Sequence, residues 1–128
     1  IGAALQMLSP FQIAAHYQAV QWVPFLNYYA YTSFGTIGHT FELLLLYLPV
    51  GFVMGESGAG TRARAFAEGA LLALAVAAPL EYAQGWIVGR YPDVTDLALS
   101  VAGACVGVWL AGEGTARFTA LTRALGPP

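Results

Sequence analysis

Apolar residues are gathered into three long runs: about Ile37 to Gly55 (IGHTFELLLLYLPVGFVMG), about Ala65 to Gln84 (AFAEGALLALAVAAPLEYAQ) and about Thr95 to Ala111 (TDLALSVAGACVGVWLA). As a helix, each covers roughly 25–30 Å, which matches the hydrocarbon layer of a bilayer. The pattern predicts three membrane crossings. Pro49 and Pro79 fall inside two of the runs. In a bundle within lipid, neighbouring groups satisfy the carbonyls that proline frees, so kinks are expected there and not breaks. A shorter apolar run, Ile1 to Leu8, cannot span, because a crossing needs about 20 residues. No basic flank precedes it as a signal peptide would require, and it reads as the end of a helix whose beginning is missing. The expected fold is an all-α membrane bundle over residues 1–128, incomplete at its N-terminus, with three full crossings and the end of a truncated one.

The stretch from Ser9 to Gly35 has a different pattern. It holds Phe11, Tyr17, Trp22, Phe25, Tyr28, Tyr29, Tyr31 and Phe34, with almost no charge. Tryptophan and tyrosine favour the headgroup level, where the ring is buried and its polar edge stays wet. The stretch is expected to lie along the interface, with Trp86 and Tyr91 extending the same belt.

Composition agrees with a lipid environment. Hydrophobic residues make up 58% of the chain and charged residues 9%, against about 25% charged in a soluble domain. All five basic residues are arginines, and the net charge is -2. With no basic cluster, nucleic acid is excluded as a partner. Cys105 is the single cysteine, which excludes an intrachain disulfide and cysteine metal-site spacing.

The arginines orient the crossings. Arg62 and Arg64 lie between the first and second runs, Arg117 and Arg123 follow the third, and Arg90 alone falls on the opposite side. Four against one places the Arg62 loop and the C-terminus in the cytoplasm, and the Gly85–Pro92 connection outside the cell (inner) membrane. Small residues suggest how the helices touch. Ser100, Gly103 and Gly107 share a face of the third crossing, and Gly51 and Gly55 recur at the same spacing on the first. Such faces let helix backbones approach closely.

Ionisable residues within membrane spans are costly and carry the chemical information. Glu81 and Gln84 lie one turn apart at the outer end of the second crossing, and Asp93 and Asp96 one turn apart at the outer start of the third. Arg90 stands in the short connection, so these five side chains are expected to converge just inside the outer leaflet. Two readings stay open. In one, the group is a structural clamp: Asp93 or Asp96 caps the third helix and Arg90 neutralises the carboxylates. In the other, it is a ligand pocket, with Arg90 holding an anionic moiety and a carboxylate acting as acceptor or base. His39 and Glu42, one turn apart near the outer end of the first crossing, could join it. Their spacing matches no strong zinc motif, and interhelical hydrogen bonding is the expected role. Glu68 is expected to reach the opposite interface, His16 to be a solvated or belt residue, and Cys105 to pack. No catalytic triad, phosphate loop or cofactor motif is present, so no catalytic residue is assigned and no cofactor or metal is expected.

The run LEYAQGWIVGRYPDVTDLALSVAGACVGVWL, with Glu81, Gln84, Arg90, Asp93, Asp96, Gly103 and Gly107, resembles the signature of the VanZ-like family. WVPF at Trp22 to Phe25 and YLPVGF at Tyr47 to Phe52 are also similar to the family pattern. The chain departs at Ser100, where the family usually has asparagine; serine keeps a hydroxyl but lacks the amide. The resemblance implies a membrane domain associated, in the founding member, with low-level resistance to the amphiphilic glycopeptide teicoplanin. It implies no agreed reaction, and the domain also occurs fused to other membrane segments. Three functions remain: a module binding an amphiphile or lipid headgroup, an accessory subunit docking other membrane proteins, and an enzyme acting on a lipid-linked headgroup through Glu81 or Asp96. The enzyme is the least supported, because no nucleophile or metal site is evident.

Overall fold

The computed structural model describes residues 13–26, 34–57 and 60–126. Among these residues the elements are three helices, α1 (Phe34–Glu56), α2 (Arg62–Gln84) and α3 (Val94–Leu125). Each is long and apolar enough to cross a membrane. The protein is an all-helical, multi-pass membrane protein. The run Ile1 to Leu8 and the aromatics Phe11, Tyr28, Tyr29 and Tyr31 lie outside the described residues.

The local sequence explains where the helices begin. At Thr61 the backbone is extended and the hydroxyl accepts from the Arg64 N–H at 3.3 Å, which starts α2 at Arg62. Asp93 is likewise extended, and its Oδ1 accepts from the Thr95 N–H at 2.8 Å, which starts α3 at Val94. Each cap satisfies one of the amides that the first turn leaves without a helical partner. Pro49 and Pro79 lie inside unbroken helices.

The third helix does not stop at Ala111, where the apolar run ends. It continues to Leu125, so Arg117 and Arg123 sit on helix and not on a trailing loop. Alanine, leucine and arginine, all good helix formers, make up half of the segment past Ala111 and carry the helix through Gly112, Gly114 and three threonines. At 32 residues α3 is roughly 48 Å long, well beyond a bilayer's hydrocarbon thickness.

α3 is also the centre of the bundle, packing on both other helices and most extensively on α1. α1 and α3 run parallel: His39 meets Asp96 near their starts, and Glu56 meets Thr115 near their far ends. Around the buried Leu43, Tyr47, Leu99 and Val108, the interior is lined by small residues. Gly51, Gly69, Ala73, Ala77, Ser100, Gly103, Ala104, Gly107 and Ala111 are buried, while Phe41, Leu45, Phe52, Leu71, Val76, Trp109 and Leu110 point outward. This distribution suits lipid, where apolar surface gains nothing by hiding and close backbone packing holds helices together. The approach is tightest between α1 and α3. A methyl group at Gly103 would fall on the Leu44 backbone, one at Gly107 on the Leu48 carbonyl, and one at Gly51 on the Ala104 carbonyl.

Residues 13–26 form a strap across the ends of α2 and α3. The N–H groups of Ala14, Gln18 and Gln21 donate to the carbonyls of Trp86, Gly85 and Pro92 at 2.7, 2.7 and 2.8 Å, and the Val94 N–H donates back to Gln21 at 3.3 Å. Ile13 with Ile87 and Gln21 with Asp93 form isolated bridges. The aromatic stretch is therefore built into the bundle by its backbone, besides contributing exposed rings at Trp22 and Phe25.

Candidate functional site

The strap, the Gly85–Pro92 connection and the adjoining helix ends enclose a polar cluster. Glu81, Gln84 and Asp93 are only 6%, 5% and 8% exposed, and Thr95 and Ser100 are fully buried. In a membrane span such groups must find partners within the protein.

Glu81 is at the centre. Its two oxygens accept from different elements: Oε1 from the Gln84 side chain and Oε2 from the Asp93 N–H, both at 3.1 Å. The second bond ties the last turn of α2 to the residue that caps α3. The carboxylate of Asp93 faces the other way, onto the Thr95 N–H. Of the two aspartates that could cap α3, Asp93 does so, and Asp96 occupies the first turn. There a negative charge also meets the positive end of the helix dipole. Thr95 Oγ1 in turn accepts from the Phe25 N–H at 2.8 Å. Phe25 has a positive φ of 61°, a conformation that costs energy for a bulky residue. The bond to Thr95 helps to hold it.

Asp96 joins α3 to α1. Its Oδ2 lies 3.1 Å from His39 Nε2, an ion pair when the imidazole is protonated. The structure thus links Glu81, Gln84 and Asp93 in one hydrogen-bonded group and pairs Asp96 with His39 beside it. Arg90 is half-buried in the connection at the same end of the molecule, its N–H held by the Ile87 carbonyl at 3.1 Å. Glu42 is exposed on α1 and does not turn inward with His39. Ser100 turns its hydroxyl back onto its own helix, donating to the Leu97 carbonyl at 2.7 Å. Among the described residues, no three His, Cys, Asp or Glu side chains gather as metal ligands. Farther away, Glu68 pairs with Arg64 at 2.6 Å at the opposite end of α2, where both are partly exposed; His16 is exposed and Cys105 half-buried.

Three participants carry no sequence signal that would place them here. Thr95 is one more hydroxyl in an apolar helix. Tyr17 lies 5.3 Å from Tyr82 and 5.2 Å from Trp86, ring centre to ring centre, and covers Gly85. Tyr47 is 2% exposed, and its hydroxyl has no hydrogen-bond partner among the described residues. Long helical side chains slant toward the N-terminus, which directs this hydroxyl from α1 toward the end that holds Glu81 and Asp96. A tyrosine breaking the run LLLLYLP is the one visible hint. A cleft of about 160 Å³ opens beside the cluster, lined by Tyr17, Trp22, Tyr82, Leu97, Glu81 and Asp93 among others.

These features define a small helical membrane protein with a roofed, carboxylate-rich polar cluster at one end of its bundle. The family model for VanZ/LLP1 matches residues 3–114, and the chain belongs to this family. No curated protein and no solved structure gives a significant match.

Proposed function

We propose that the protein binds an amphiphile or lipid headgroup at the outer face of the cell membrane, in the manner of a teicoplanin-resistance factor. The observation that carries this reading is the juxtaposition at the cleft: an almost wholly apolar surface lined by Tyr17, Trp22, Tyr82 and Leu97, with the buried Glu81 and Asp93 in its wall. Trp22 and Tyr82 are exposed at its rim. At about 160 Å³ the cleft has room for roughly five water volumes, enough for one polar group of a larger molecule. The remainder would lie along the exposed rings. Carboxylates select a hydroxyl, amide or ammonium donor, and Arg90 at the same end supplies a charge for an anionic group. The outward assignment rests on the four-to-one arginine distribution, which also puts the C-terminus in the cytoplasm.

The test uses the protein in nanodiscs with fluorescently labelled teicoplanin. The double variant Arg90→Gln, Asp93→Asn keeps a good helix cap, because asparagine caps as well as aspartate. It should stay folded and lose binding by at least tenfold. Folded protein with unchanged binding removes the site and leaves a structural hairpin.

A second reading, an accessory subunit of a larger membrane assembly, is favoured by Glu42. This carboxylate is exposed on α1, a little over two turns into a membrane-spanning helix. Lipid is a poor neighbour for it, and a partner helix offering a donor would relieve the cost.

A further inference from the structure

The bundle carries a larger cavity at the end opposite Glu81. About 570 Å³ lies between the far ends of α1, α2 and the extended α3. Its walls are of two kinds. Met54, Ala65 and Val108 form an apolar side, while Ser57, Thr61, Thr115 and Thr119 bring hydroxyls, and Arg62 and Arg123 bring charge.

Two of the carboxylates at this end already have partners. Glu68, which lines the cavity, is paired with Arg64 at 2.6 Å, and Glu56 accepts from Thr115 at 3.2 Å. Among the described residues Arg64 is paired with Glu68, while neither Arg62 nor Arg123 makes an ion pair. Arg62 is held across the cavity. Its guanidinium lies against Gly112 of α3 and 6.0 Å from the Phe66 ring centre. A side chain at position 112 would press on that guanidinium, so the glycine makes room for it. The cavity therefore combines two arginines on different helices, each outside any ion pair among the described residues, with several hydroxyls and apolar side chains.

We propose that this cavity binds the headgroup of an anionic phospholipid, with Arg62 and Arg123 supplying its positive charge and the apolar side chains receiving the start of the acyl chains. Guanidinium groups suit phosphate oxygens through paired N–H donors, and hydroxyls complete the set. A lipid is chosen over a free phosphate because the site lies at the end of three membrane-spanning helices and half of its lining is apolar. The inference does not depend on the function of the Glu81 end. The arginine distribution places the cavity at the cytoplasmic leaflet, where anionic lipids attract basic residues.

Native mass spectrometry of the detergent-purified chain tests this with three probes: dioleoylphosphatidylglycerol, dioleoylphosphatidylcholine and glycerol phosphate. Phosphatidylglycerol should bind selectively. Arg62→Gln and Arg123→Gln should each weaken it by roughly fivefold, the order expected for one arginine near a lipid phosphate. Arg117→Gln removes the same charge from an exposed position that does not line the cavity, and should leave binding unchanged. Ala116→Leu fills the cavity without altering charge and should also reduce binding. An equal loss in Arg117→Gln would mean diffuse surface attraction and would overturn the site. Glycerol phosphate binding as tightly as the lipid would overturn the lipid assignment.

Discussion

The ring of Tyr17 covers Gly85 so closely that a methyl group on that glycine would overlap it. This contact fastens the strap to the turn after α2, next to the Gln18 N–H bond to the Gly85 carbonyl. Gly85 has an ordinary right-handed φ of -60°, so only space demands glycine here. Gly85→Ala should displace Tyr17 and loosen the strap while the three helices persist. The expected cost is about 1–3 kcal/mol, as for overpacking a filled site. Fluorescence of Trp22 and Trp86 should report it, with helical circular dichroism unchanged; an unaltered emission spectrum would remove the strap's dependence on this contact.

Glu81 is bonded through both oxygens. Glu81→Ala should be strongly destabilising, on the order of 3 kcal/mol, because it strands the Gln84 amide and the Asp93 N–H in a buried setting. Glu81→Gln keeps an oxygen for one of them and should cost about half as much. Thermal unfolding in detergent checks the order. If alanine and glutamine prove equally harmful, the charge of Glu81 matters more than its hydrogen bonds.

On the helix interface, Gly103→Leu should separate α3 from α1, since its side chain would run into the Leu44 backbone. Val106→Leu, on an exposed position of the same helix, should be neutral. A Gly103→Leu protein as resistant to unfolding as the parent would contradict the packing described.

How much of this is legible in the sequence depends on how local the cause is. The crossings are readable because apolar length alone sets them, and the Glu81–Gln84 pair because a spacing of three puts both on one helix turn; the same spacing misleads at Asp93 and Asp96, since Asp93 is the extended cap and the two take different partners. The end of α3 is not readable from hydropathy: polarity rises and two glycines enter after Ala111, yet the helix runs on to Leu125. The strap leaves even less trace. Its bonds are backbone to backbone between residues such as Ala14 and Trp86, and any side chain permits such pairing. Tyr17 accordingly reads as one ring in an aromatic belt, although it is a specific cover for Gly85.

Orientation is open to direct measurement. With the Arg62 side in the cytoplasm, a cysteine at Gly60 should react with an impermeant maleimide only from the inside, and one at Val88 only from the outside. Both positions are exposed, and Cys105→Ser removes the background thiol. The opposite labelling pattern would place the Glu81 cleft on the inner face and end the amphiphile reading.

The strap also sets an order of events during synthesis. Phe25 and its acceptor Thr95 are 70 positions apart, and Ala14 likewise awaits the carbonyl of Trp86. The strap leaves the ribosome before the three helices, yet its amides have nowhere to bond until two later helices have crossed the bilayer. Meanwhile they must stay in contact with water at the membrane surface, since unpaired backbone groups are not tolerated in lipid. Closing the strap thus follows the crossing of α2, and its Phe25 end waits for α3. A chain stalled before α3 would keep its first helices in the membrane with the polar end uncovered, a form that a quality-control protease could recognise.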